Sequence, residues 1–262
     1  MKIEIIPSQI SDNFFYLLYA DDGSDGLLID PIDSTHALER AKALGVTVTT
    51  VVNTHWHPDH VGGNSTVLDA TQAELLVPAD ERDRIQGHGK PLDEGDTLRI
   101  GDTELTVLAT PGHTEGHISL LTDGHLFCGD TVFVGGAGNC RFGGDPVILH
   151  RSFQKLAQLP DDTLLYTGHD YARRNLAFCL DLEPNNHDAK AFLDSIRDQP
   201  ESTLTLSTIG REKRYSPFFR TAEEGLQAQL KANRTEAWSR QDEALEGSAR
   251  AFVTIRELRN VW

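Results

Sequence analysis

Residues 54–60 concentrate side chains that bind transition metals. They read Thr-His-Trp-His-Pro-Asp-His, so three imidazoles and one carboxylate fall within six consecutive positions. Imidazole nitrogen and carboxylate oxygen are favoured ligands of zinc, and iron or manganese can use the same set. One metal could take His55 and His57, and a second could take Asp59 and His60. A purely structural zinc site is the main alternative, but such sites favour cysteine.

Further metal-binding side chains lie in similar places later in the chain. Asp130 and His169 each come just after an apolar run, as His57 does, and His113 follows Thr-Pro-Gly after another. Loops at strand ends converge on one rim of a sheet, where a rigid scaffold positions catalytic residues. We therefore expect these residues to complete the site that begins at residue 55.

The elements that must position these side chains change character along the chain. Alternating and β-branched runs predict strands over residues 2–6, 14–19, 26–29, 46–52, 97–100, 104–108, 118–121, 125–128 and 163–166. Ser34 is expected to cap a helix that runs to about Leu44 and stops at Gly45. Later helices are predicted over residues 173–182, 188–197, 222–232 and 247–259. The break Glu-Pro-Asn-Asn at 183–186 predicts a catalytic domain over 1–183 and a mostly helical region over 184–262.

Composition excludes several classes of partner. The 262 residues include 24 Lys+Arg against 40 Asp+Glu, and the formal net charge of −16 repels phosphate backbones, so nucleic acid is not expected. The three cysteines are widely spaced and predict no disulfide framework. The N-terminus does not read as a signal peptide, and no stretch approaches about 18 apolar residues. We therefore expect a cytoplasmic monomer that binds no membrane.

The motifs resemble those of a known family in their order and spacing. His-x-His-x-Asp-His at 55–60, Thr-Pro-Gly-His-Thr at 110–114, Cys-Gly-Asp-Thr at 128–131 and Gly-His-Asp-Tyr at 168–171 are similar to the metallo-β-lactamase superfamily. Within it, the chain looks most like glyoxalase II, the hydroxyacylglutathione hydrolases, over most of its length. The resemblance implies an α+β fold: an αββα sandwich of two mixed sheets with helices outside, followed by a C-terminal helical domain.

The resemblance also implies a role for each candidate ligand. Two divalent metal ions per chain are expected, with zinc as the first choice and iron or manganese as alternatives. The expected ligands are His55, His57 and His113 for the first metal, Asp59, His60 and His169 for the second, and Asp130 as a bridge beside a hydroxide. Asp59 and Asp130 are the expected catalytic carboxylates. Asp30 and His117 are expected to orient the ligands from behind, although Asp30 could also be an ordinary turn carboxylate.

The implied reaction is the hydrolysis of an S-2-hydroxyacylglutathione, such as S-lactoylglutathione, to a hydroxy acid and glutathione. A divalent metal lowers the pKa of bound water to about 7, and two metals could aim a shared hydroxide at the thioester carbonyl. A thiolate is a good leaving group and needs little help from a general acid. A glutathione thioester is therefore the expected small-molecule partner.

Basic and aromatic side chains are expected to hold the glutathione part of the substrate. The resemblance assigns this role to Tyr171, to the terminal pair Arg256 and Arg259, and to Arg141 and Phe142. Arginines three apart share one face of a helix and could reach one carboxylate, although they could equally be solvated on an amphipathic tail.

The loop at 134–144 departs from the family pattern. Ala137 stands where the family has cysteine, and Cys140 precedes the basic residue Arg141. This leaves the identity of the thiol carrier open. Cys140 has no local partner in the sequence, and we interpret it as a passive residue.

Other activities of the same fold stay open at this point. A persulfide dioxygenase would use one iron held by His55, His113 and Asp130, and Gly-His-Asp-Tyr occurs there too. A lactonase or β-lactamase is a further option, as is a binding module that uses metals only for stability. The glyoxalase-like C-terminus favours thioester hydrolysis over the rival activities.

Overall fold

Two sheets contain most of the strands. The computed structural model describes residues 1–242 and 244–262. Within them, the first sheet contains, in spatial order, β1 (Lys2–Pro7), β2 (Phe14–Tyr19), β3 (Gly26–Ile29), β4 (Val48–Val52), β5 (Glu74–Pro78) and β6 (Lys90–Leu92). The second sheet begins with β7 (Thr97–Ile100), β8 (Thr103–Ala109), β9 (Ile118–Thr122) and β10 (His125–Gly129). A hairpin of β11 (Val132–Phe133) and β12 (Gly136–Ala137) follows, and β13 (Leu164–Thr167) and β14 (Ser207–Thr208) then complete the order β14-β13-β10-β9-β8-β7.

The helices divide into an early and a late set. The early set comprises α1 (Ser34–Leu44), α2 (Pro58–Val61), α3 (Asn64–Thr71) and a 3-10 helix (Ala79–Arg84). The late set comprises α4 (Pro146–Leu156), α5 (Ala172–Leu182), α6 (His187–Ser195), α7 (Ile209–Tyr215), α8 (Glu224–Asn233), α9 (Thr235–Arg240) and α10 (Gly247–Val261).

The two sheets pack face to face, and helices cover both outer faces. Successive side chains of a strand point to opposite faces, so Tyr16 joins the cluster between the sheets while Leu17 joins the cluster under α1 and α3. The outer face of the second sheet is covered in the same way, with Leu126 buried against α4 and α10. This is the expected αββα sandwich, and a helical C-terminal region follows it.

The start of α1 differs from the prediction by one residue. Asp33, and not Ser34, is the N-cap, because its carboxylate accepts the N–H of His36 at 3.1 Å. The same carboxylate accepts the N–H of Gln9 at 2.9 Å, so it ties the helix to the loop before β2. Gly45 ends the helix with φ of +68°, as predicted.

The last helix connects the C-terminal region to the sandwich. Phe252 and Ile255 of α10 are fully buried in the cluster that contains Leu149 and Phe153 of α4. Hydrogen bonds from Arg256 to the carbonyl of Ala137 and from Arg141 to the carbonyl of Asn260 place the end of α10 beside the 132–142 segment. Among the described residues, none of the helices combines the length and the apolar character that crossing a membrane requires.

Candidate metal centre

Four loops bring the candidate ligands to one rim of the sandwich. The loops after β4, β8, β10 and β13 contain positions 55–60, 113, 130 and 169. In the second sheet, β8 and β10 are both antiparallel to β9, and β13 is parallel to β10, so three carboxyl ends share one edge. The N–H of Ile118 donates to the carbonyl of Thr54 at 2.9 Å and joins this edge to the loop after β4. The structure thus brings all seven predicted ligands together.

The turn at 55–60 directs its candidate ligands to two different groups. A one-turn helix, α2, begins at Pro58, whose fixed φ suits the first helical position. His55 and His57 precede the helix, and Asp59 and His60 lie on it. The division matches the expected one: the first pair faces His113, and the second pair faces His169.

Three imidazole nitrogens form the first group. His57 Nδ1 lies 3.0 Å from His55 Nε2 and 3.0 Å from His113 Nε2. The rings of His55 and His113 are buried, and that of His57 is partly exposed. Three ring nitrogens at this separation, with a free lone pair on each, form a ready set of cation ligands.

A carboxylate and two imidazoles form the second group. Asp59 Oδ2 lies 3.3 Å from His169 Nε2 and 3.7 Å from His60 Nε2. Gly168 is required here, because a Cβ at this position would lie 2.3 Å from Asp130 Oδ1. The mixed nitrogen and oxygen set fits zinc, iron or manganese.

Asp130 lies between the two groups. Its Oδ2 is 3.6 Å from His113 Nε2 of the first group and 3.6 Å from His169 Nε2 of the second. Its Oδ1 is 3.4 Å from His60 Nε2 and is buried without a hydrogen bond within the described part of the chain. A buried carboxylate that faces both groups fits the expected bridging ligand.

Asp30 lies behind the candidate ligands and bonds to two residues of the 54–60 turn. It could form a third donor group with His55 and His60 by distance alone. However, it already accepts the N–H of Thr54 at 2.8 Å, the hydroxyl of Thr54 at 2.6 Å and His60 Nδ1–H at 2.9 Å. These bonds occupy both oxygens, and they agree with the orienting role expected for this residue.

The hydrogen bonds of the first group leave one nitrogen free on each ring. His113 Nδ1 donates to the carbonyl of Asn139 at 2.6 Å, and His57 Nε2 donates to the carbonyl of Phe142 at 3.2 Å. His55 Nδ1 lies 3.0 Å from the hydroxyl oxygen of Thr54, whose own proton goes to Asp30. The two carbonyls can only accept, and so can the Thr54 hydroxyl once its proton is bonded to Asp30, so the opposite nitrogen of each ring points to the centre with a lone pair.

The two groups differ in their acid–base character. Burial lowers the pKa of His113 to about 4 and also lowers that of His55, so these rings are neutral and ready to bind a cation. Burial has the same tendency at His169, but Asp130, Asp12 and Asp59 outweigh it and raise the pKa to about 10. A metal in the second group would therefore displace a proton from this ring.

His117 supports the backbone of the bridging carboxylate. Its Nε2 accepts the N–H of Asp130 at 3.2 Å, and its ring stacks on His55 with centroids 5.0 Å apart. The other nitrogen lies 3.0 Å from the hydroxyls of Thr110 and Thr131. The structure thus places His117 against His55 and Asp130, and its role in orienting the ligands stays a prediction.

Two acidic residues behind the ligands were missed by sequence reasoning. Asp12 Oδ1 lies 3.2 Å from His169 Nδ1, and its Oδ2 accepts the hydroxyl of Tyr171 at 3.2 Å. Glu81 is buried and accepts the N–H of Trp56 at 2.7 Å and of Gly116 at 2.9 Å. Asp12 lies two residues before β2, and its position next to a predicted strand is a usable signal, whereas nothing in the sequence around Glu81 indicates its role.

Asn13 was also missed, although it faces the second group. Its Nδ2 lies 3.3 Å from Asp59 Oδ2 and 3.2 Å from His169 Nε2. A backbone bridge between Asn13 and His169 fixes this proximity. Asn13 is therefore close enough to influence any cation held there.

The expected substrate-binding residues line one cavity next to the first group. It has a volume of about 320 Å³, and its lining residues are Phe133, Ala137, Asn139, Arg141, Phe142, Tyr171, Arg174, Asn175, Arg256, Arg259 and Asn260. Four of these are arginines and none is acidic. In a chain with a net charge of −16, this cavity is a local site of positive charge that suits an anionic molecule.

The arginines of this cavity are held to different degrees. Arg256 is buried and donates to the carbonyls of Ala137 and Gly138. Arg259 donates to Asn175 Oδ1 at 3.0 Å. Arg174 is exposed, and in the described part of the chain it makes no ion pair. It also lines a neighbouring cavity of about 590 Å³.

Tyr171 and Cys140 occupy contrasting environments beside this cavity. The ring of Tyr171 stacks on His169, with centroids 5.1 Å apart and planes at 9°. Cys140 is half-buried, and burial raises the pKa of its thiol to about 12. The thiol is thus protonated at neutral pH, in agreement with a passive residue.

Comparisons with known proteins agree with this geometry. The family model of the metallo-beta-lactamase superfamily matches residues 13–169, and the model of the hydroxyacylglutathione hydrolase C-terminus matches residues 170–262. The chain is 40% identical over 255 residues to the hydroxyacylglutathione hydrolase of Nitrosococcus oceani, with 95% of each chain covered. It is 41% identical over 256 residues to that of a Polaromonas species, again with 95% of each covered.

Among solved structures, ETHE1 from Myxococcus xanthus superposes with a TM-score of 0.68 at 25% identity, covering 100% of this chain and 99% of that one. The superposition agrees with the αββα sandwich and its C-terminal helices. The two family models together span the sandwich, the candidate metal ligands and the C-terminal region. The chain therefore belongs to the hydroxyacylglutathione hydrolase family of the metallo-beta-lactamase superfamily.

Proposed function

We propose that the chain hydrolyses the thioester of an S-2-hydroxyacylglutathione, such as S-lactoylglutathione, with two divalent metal ions. One observation carries the proposal: Asp130 lies within 3.6 Å of ligand nitrogens of both donor groups, beside the cavity lined by arginines. The family relationship supports the same reaction. The water that is consumed supplies a hydroxyl to the acyl carbon, the C–S bond breaks, and the thiolate takes up the remaining proton.

The donor groups assign the metal ligands. The first group would hold one ion through His55, His57 and His113, the second would hold another through Asp59, His60 and His169, and Asp130 would serve both. Two divalent cations supply Lewis acidity and lower the pKa of water, which is too weak a nucleophile at neutral pH. Zinc fits the mixed nitrogen and oxygen donors, as do iron and manganese.

The cavity beside the first group suits the glutathione part of the substrate. Glutathione has two carboxylates, and Arg141, Arg174 and Arg259 offer cationic groups with exposed or partly exposed surface. Tyr171 separates the cavity from His169 and can orient the thioester between the two. In this proposal the C–S bond would lie near Asp130 and the peptide arm over the C-terminal helix.

A single set of measurements tests the proposal. The purified full-length enzyme should contain close to two metals per chain and hydrolyse S-lactoylglutathione without oxygen, and gel filtration should show a monomer. Asp59→Ala should lose metal from the second group and most of the activity, because it removes a direct ligand. One iron per chain, oxygen uptake with glutathione persulfide and no hydrolysis would instead identify a dioxygenase.

A panel of thioesters identifies the thiol carrier. Lactoyl thioesters of glutathione, of Cys-Gly and of an uncharged thiol should be compared by kcat/KM. The proposal expects glutathione to be preferred, because each lost carboxylate removes a partner of the arginines. Equal values for all three thiols would contradict a glutathione site while leaving the metal chemistry intact.

A further inference from the structure

Asn13 is a buried amide that faces all three side chains of the second donor group. Its side chain is 3% exposed. Its Nδ2 lies 3.3 Å from Asp59 Oδ2, 3.2 Å from His169 Nε2 and 3.5 Å from His60 Nε2. One amide nitrogen thus lies within reach of every atom of this group that would bind a cation.

The backbone around Asn13 fixes the amide in this place. The carbonyl of Asn13 accepts the N–H of Ser8 at 2.9 Å, and the N–H of Phe14 donates to the carbonyl of Gly168 at 2.8 Å. An isolated β-bridge pairs Asn13 with His169. The loop between β1 and β2 therefore holds the amide against the second group through main-chain bonds.

The surroundings of the amide decide which of its ends faces Asp59. Asn13 Oδ1 is buried and, in the described part of the chain, accepts no hydrogen bond. If the amide were turned over, Oδ1 would face the carboxylate of Asp59, and two acceptor oxygens repel each other. The NH₂ end therefore faces Asp59 and donates to it.

Of the three neighbours, Asp59 is the one that can keep this bond when a metal is bound. An imidazole nitrogen that binds a metal has no lone pair left to accept an N–H. A carboxylate oxygen has more than one lone pair, so it can bind a metal and accept an N–H together. The bond from Asn13 to Asp59 is thus compatible with an occupied site.

Asp59 is also the member of the second group that is held least by other contacts. Its side chain is 47% exposed, on the one-turn helix α2. The two histidines of the group are buried, and each bonds to a carboxylate behind its ring. Among the described residues, Asn13 is the one group outside the candidate ligands that donates to the Asp59 carboxylate.

We propose that Asn13 is a positioning residue for Asp59, whose carboxylate it holds toward the second metal, and that Asn13 is not itself a ligand. A metal-binding carboxylate depends on such a hydrogen bond for its orientation. The inference rests on the metal role proposed for the second group but not on the identity of the thioester. It makes the loop before β2 part of the second metal site.

The test compares three variants of the full-length protein loaded with Zn²⁺. Asn13→Leu keeps a branched side chain without polar atoms, and Asn13→Ala removes the amide without adding volume. Asn175→Leu is the matched control, because Asn175 is also 3% exposed but bonds to Val134 and Arg259 and not to a candidate metal ligand. Competition with a chromophoric chelator measures the affinity for each of the two zinc ions. A crystal structure of the zinc-loaded wild type measures the distance from the Asn13 amide to each ion.

The expected loss is confined to one zinc ion. Both Asn13 variants should bind one ion about 10- to 100-fold more weakly and the other as the wild type does. Asn175→Leu should bind both ions with wild-type affinity. In the zinc-loaded crystal, the amide of Asn13 should lie within hydrogen-bond distance of Asp59 and beyond the coordinating distance of zinc, which is about 2.0–2.2 Å for oxygen.

Three outcomes overturn the inference. Wild-type affinity for both ions in the Asn13 variants would show that the bond to Asp59 is not needed, and an equal loss for both ions, or the same loss in Asn175→Leu, would indicate general destabilisation. An Asn13 oxygen at coordinating distance from zinc would make it a ligand.

Two further measurements keep the result decisive. Thermal unfolding of the metal-free proteins shows whether each variant folds, and Asn13→Ala decides the role of Asn13 if Asn13→Leu does not fold. If the wild type binds two zinc ions but hydrolyses none of the thioesters, the proposed function fails, and the zinc affinities still decide the role of Asn13.

Discussion

Asp12 Oδ1 lies 3.2 Å from His169 Nδ1, although the two residues are 157 positions apart in the chain. His169 presents its other nitrogen to Asp59 and Asp130, so Asp12 holds the ring from behind. A carboxylate in this position fixes the tautomer of a metal-binding histidine and makes it a stronger donor. Both histidines of the second group thus have a carboxylate behind the ring: Asp12 bonds to His169, and Asp30 bonds to His60.

Removing this carboxylate should weaken the second metal selectively. We expect Asp12→Ala to lower the affinity for one of two metals by about tenfold, because His169 loses its orienting partner. The loss is expected at the low end of the usual range, since Asp12 is largely exposed. Metal content after dialysis against graded chelator measures the effect. Asp12→Asn retains an acceptor oxygen and should lose less, and equal losses in both variants would contradict the orienting role.

Glu81 should be important for stability as well as for the first group. It accepts the N–H groups of Trp56 and Gly116, so it clamps the 55–57 segment to the loop that follows His113. Glu81→Gln turns an amide NH₂ toward one of these donors and leaves it unsatisfied, which should cost about 1–3 kcal/mol of unfolding free energy. Urea unfolding of the metal-free protein measures this loss.

The matched control for Glu81 is an exposed glutamate. Glu104→Gln removes one partner of the surface pair with Arg99 and should change the unfolding free energy by less than about 0.5 kcal/mol. A similar small effect of Glu81→Gln would show that the two backbone bonds are not needed.

The candidate metal ligands could be identified from the sequence because their chemistry is encoded in residue type and spacing. His55, His57, Asp59 and His60 form a dense local cluster, and the distant ligands follow apolar runs that became strands. The carboxyl ends of parallel strands share an edge, so the pattern predicts convergence without coordinates. The sandwich was likewise predictable from the motifs, and the bounds of β2 and β3 agree with the predicted 14–19 and 26–29.

Several supporting contacts could not be predicted, because they use backbone atoms or isolated side chains. The carbonyls of Asn139 and Phe142 orient His113 and His57, and a carbonyl gives no signal in the sequence. Glu81 lies on a 3-10 helix in which the surrounding residues are also charged, so its charge does not distinguish it in the sequence. The strand predicted over 46–52 begins only at Val48, because the N–H of Val46 bonds to Ala41 and ends α1.

The helix α4 was missed although its signals were present. Asp145 caps it by accepting the N–H groups of Val147 and Ile148, and Pro146 takes the first helical position. The stretch Asp-Pro after Gly-Gly reads equally as a turn, and α4 becomes helical by packing Leu149 and Phe153 against α10. Tertiary packing therefore decided an element that local sequence left ambiguous.

Glu212 should make the stability of the protein depend on pH. It is fully buried and accepts the N–H of Gly135 at 3.0 Å and the hydroxyl of Tyr215, and burial raises its pKa to about 7 from an ordinary 4.5. At pH values between 4.5 and about 7, Glu212 has lost its proton in the unfolded chain but retains it in the folded chain. The unfolding free energy therefore falls as pH rises through this window, by about 1.4 kcal/mol per unit and about 3 kcal/mol in all.

The variant Glu212→Gln isolates this contribution. It resembles the protonated acid, so its stability should match that of the wild type near pH 5 and exceed it by up to about 3 kcal/mol near pH 8. Urea unfolding of both proteins at the two pH values, each after metal removal, gives the difference. A difference that stays constant with pH, or that is larger at pH 5, would show that Glu212 is ionised without penalty in the folded protein.

Arg174 should strengthen the binding of glutathione thioesters without contributing to chemistry. It is exposed on α5 and lines both cavities beside Tyr171, so it can pair with a substrate carboxylate in solvent. An exposed ion pair contributes up to about 1 kcal/mol, so Arg174→Ala should raise KM for S-lactoylglutathione about two- to fivefold and leave kcat unchanged. The increase should shrink at high salt, because screening weakens the pair in the wild type.

Arg151→Ala makes the same charge change on an exposed face of α4 that lines neither cavity. Steady-state kinetics at two salt concentrations compares them, and an equal rise in KM for both variants would assign the effect to net charge and not to a contact at Arg174.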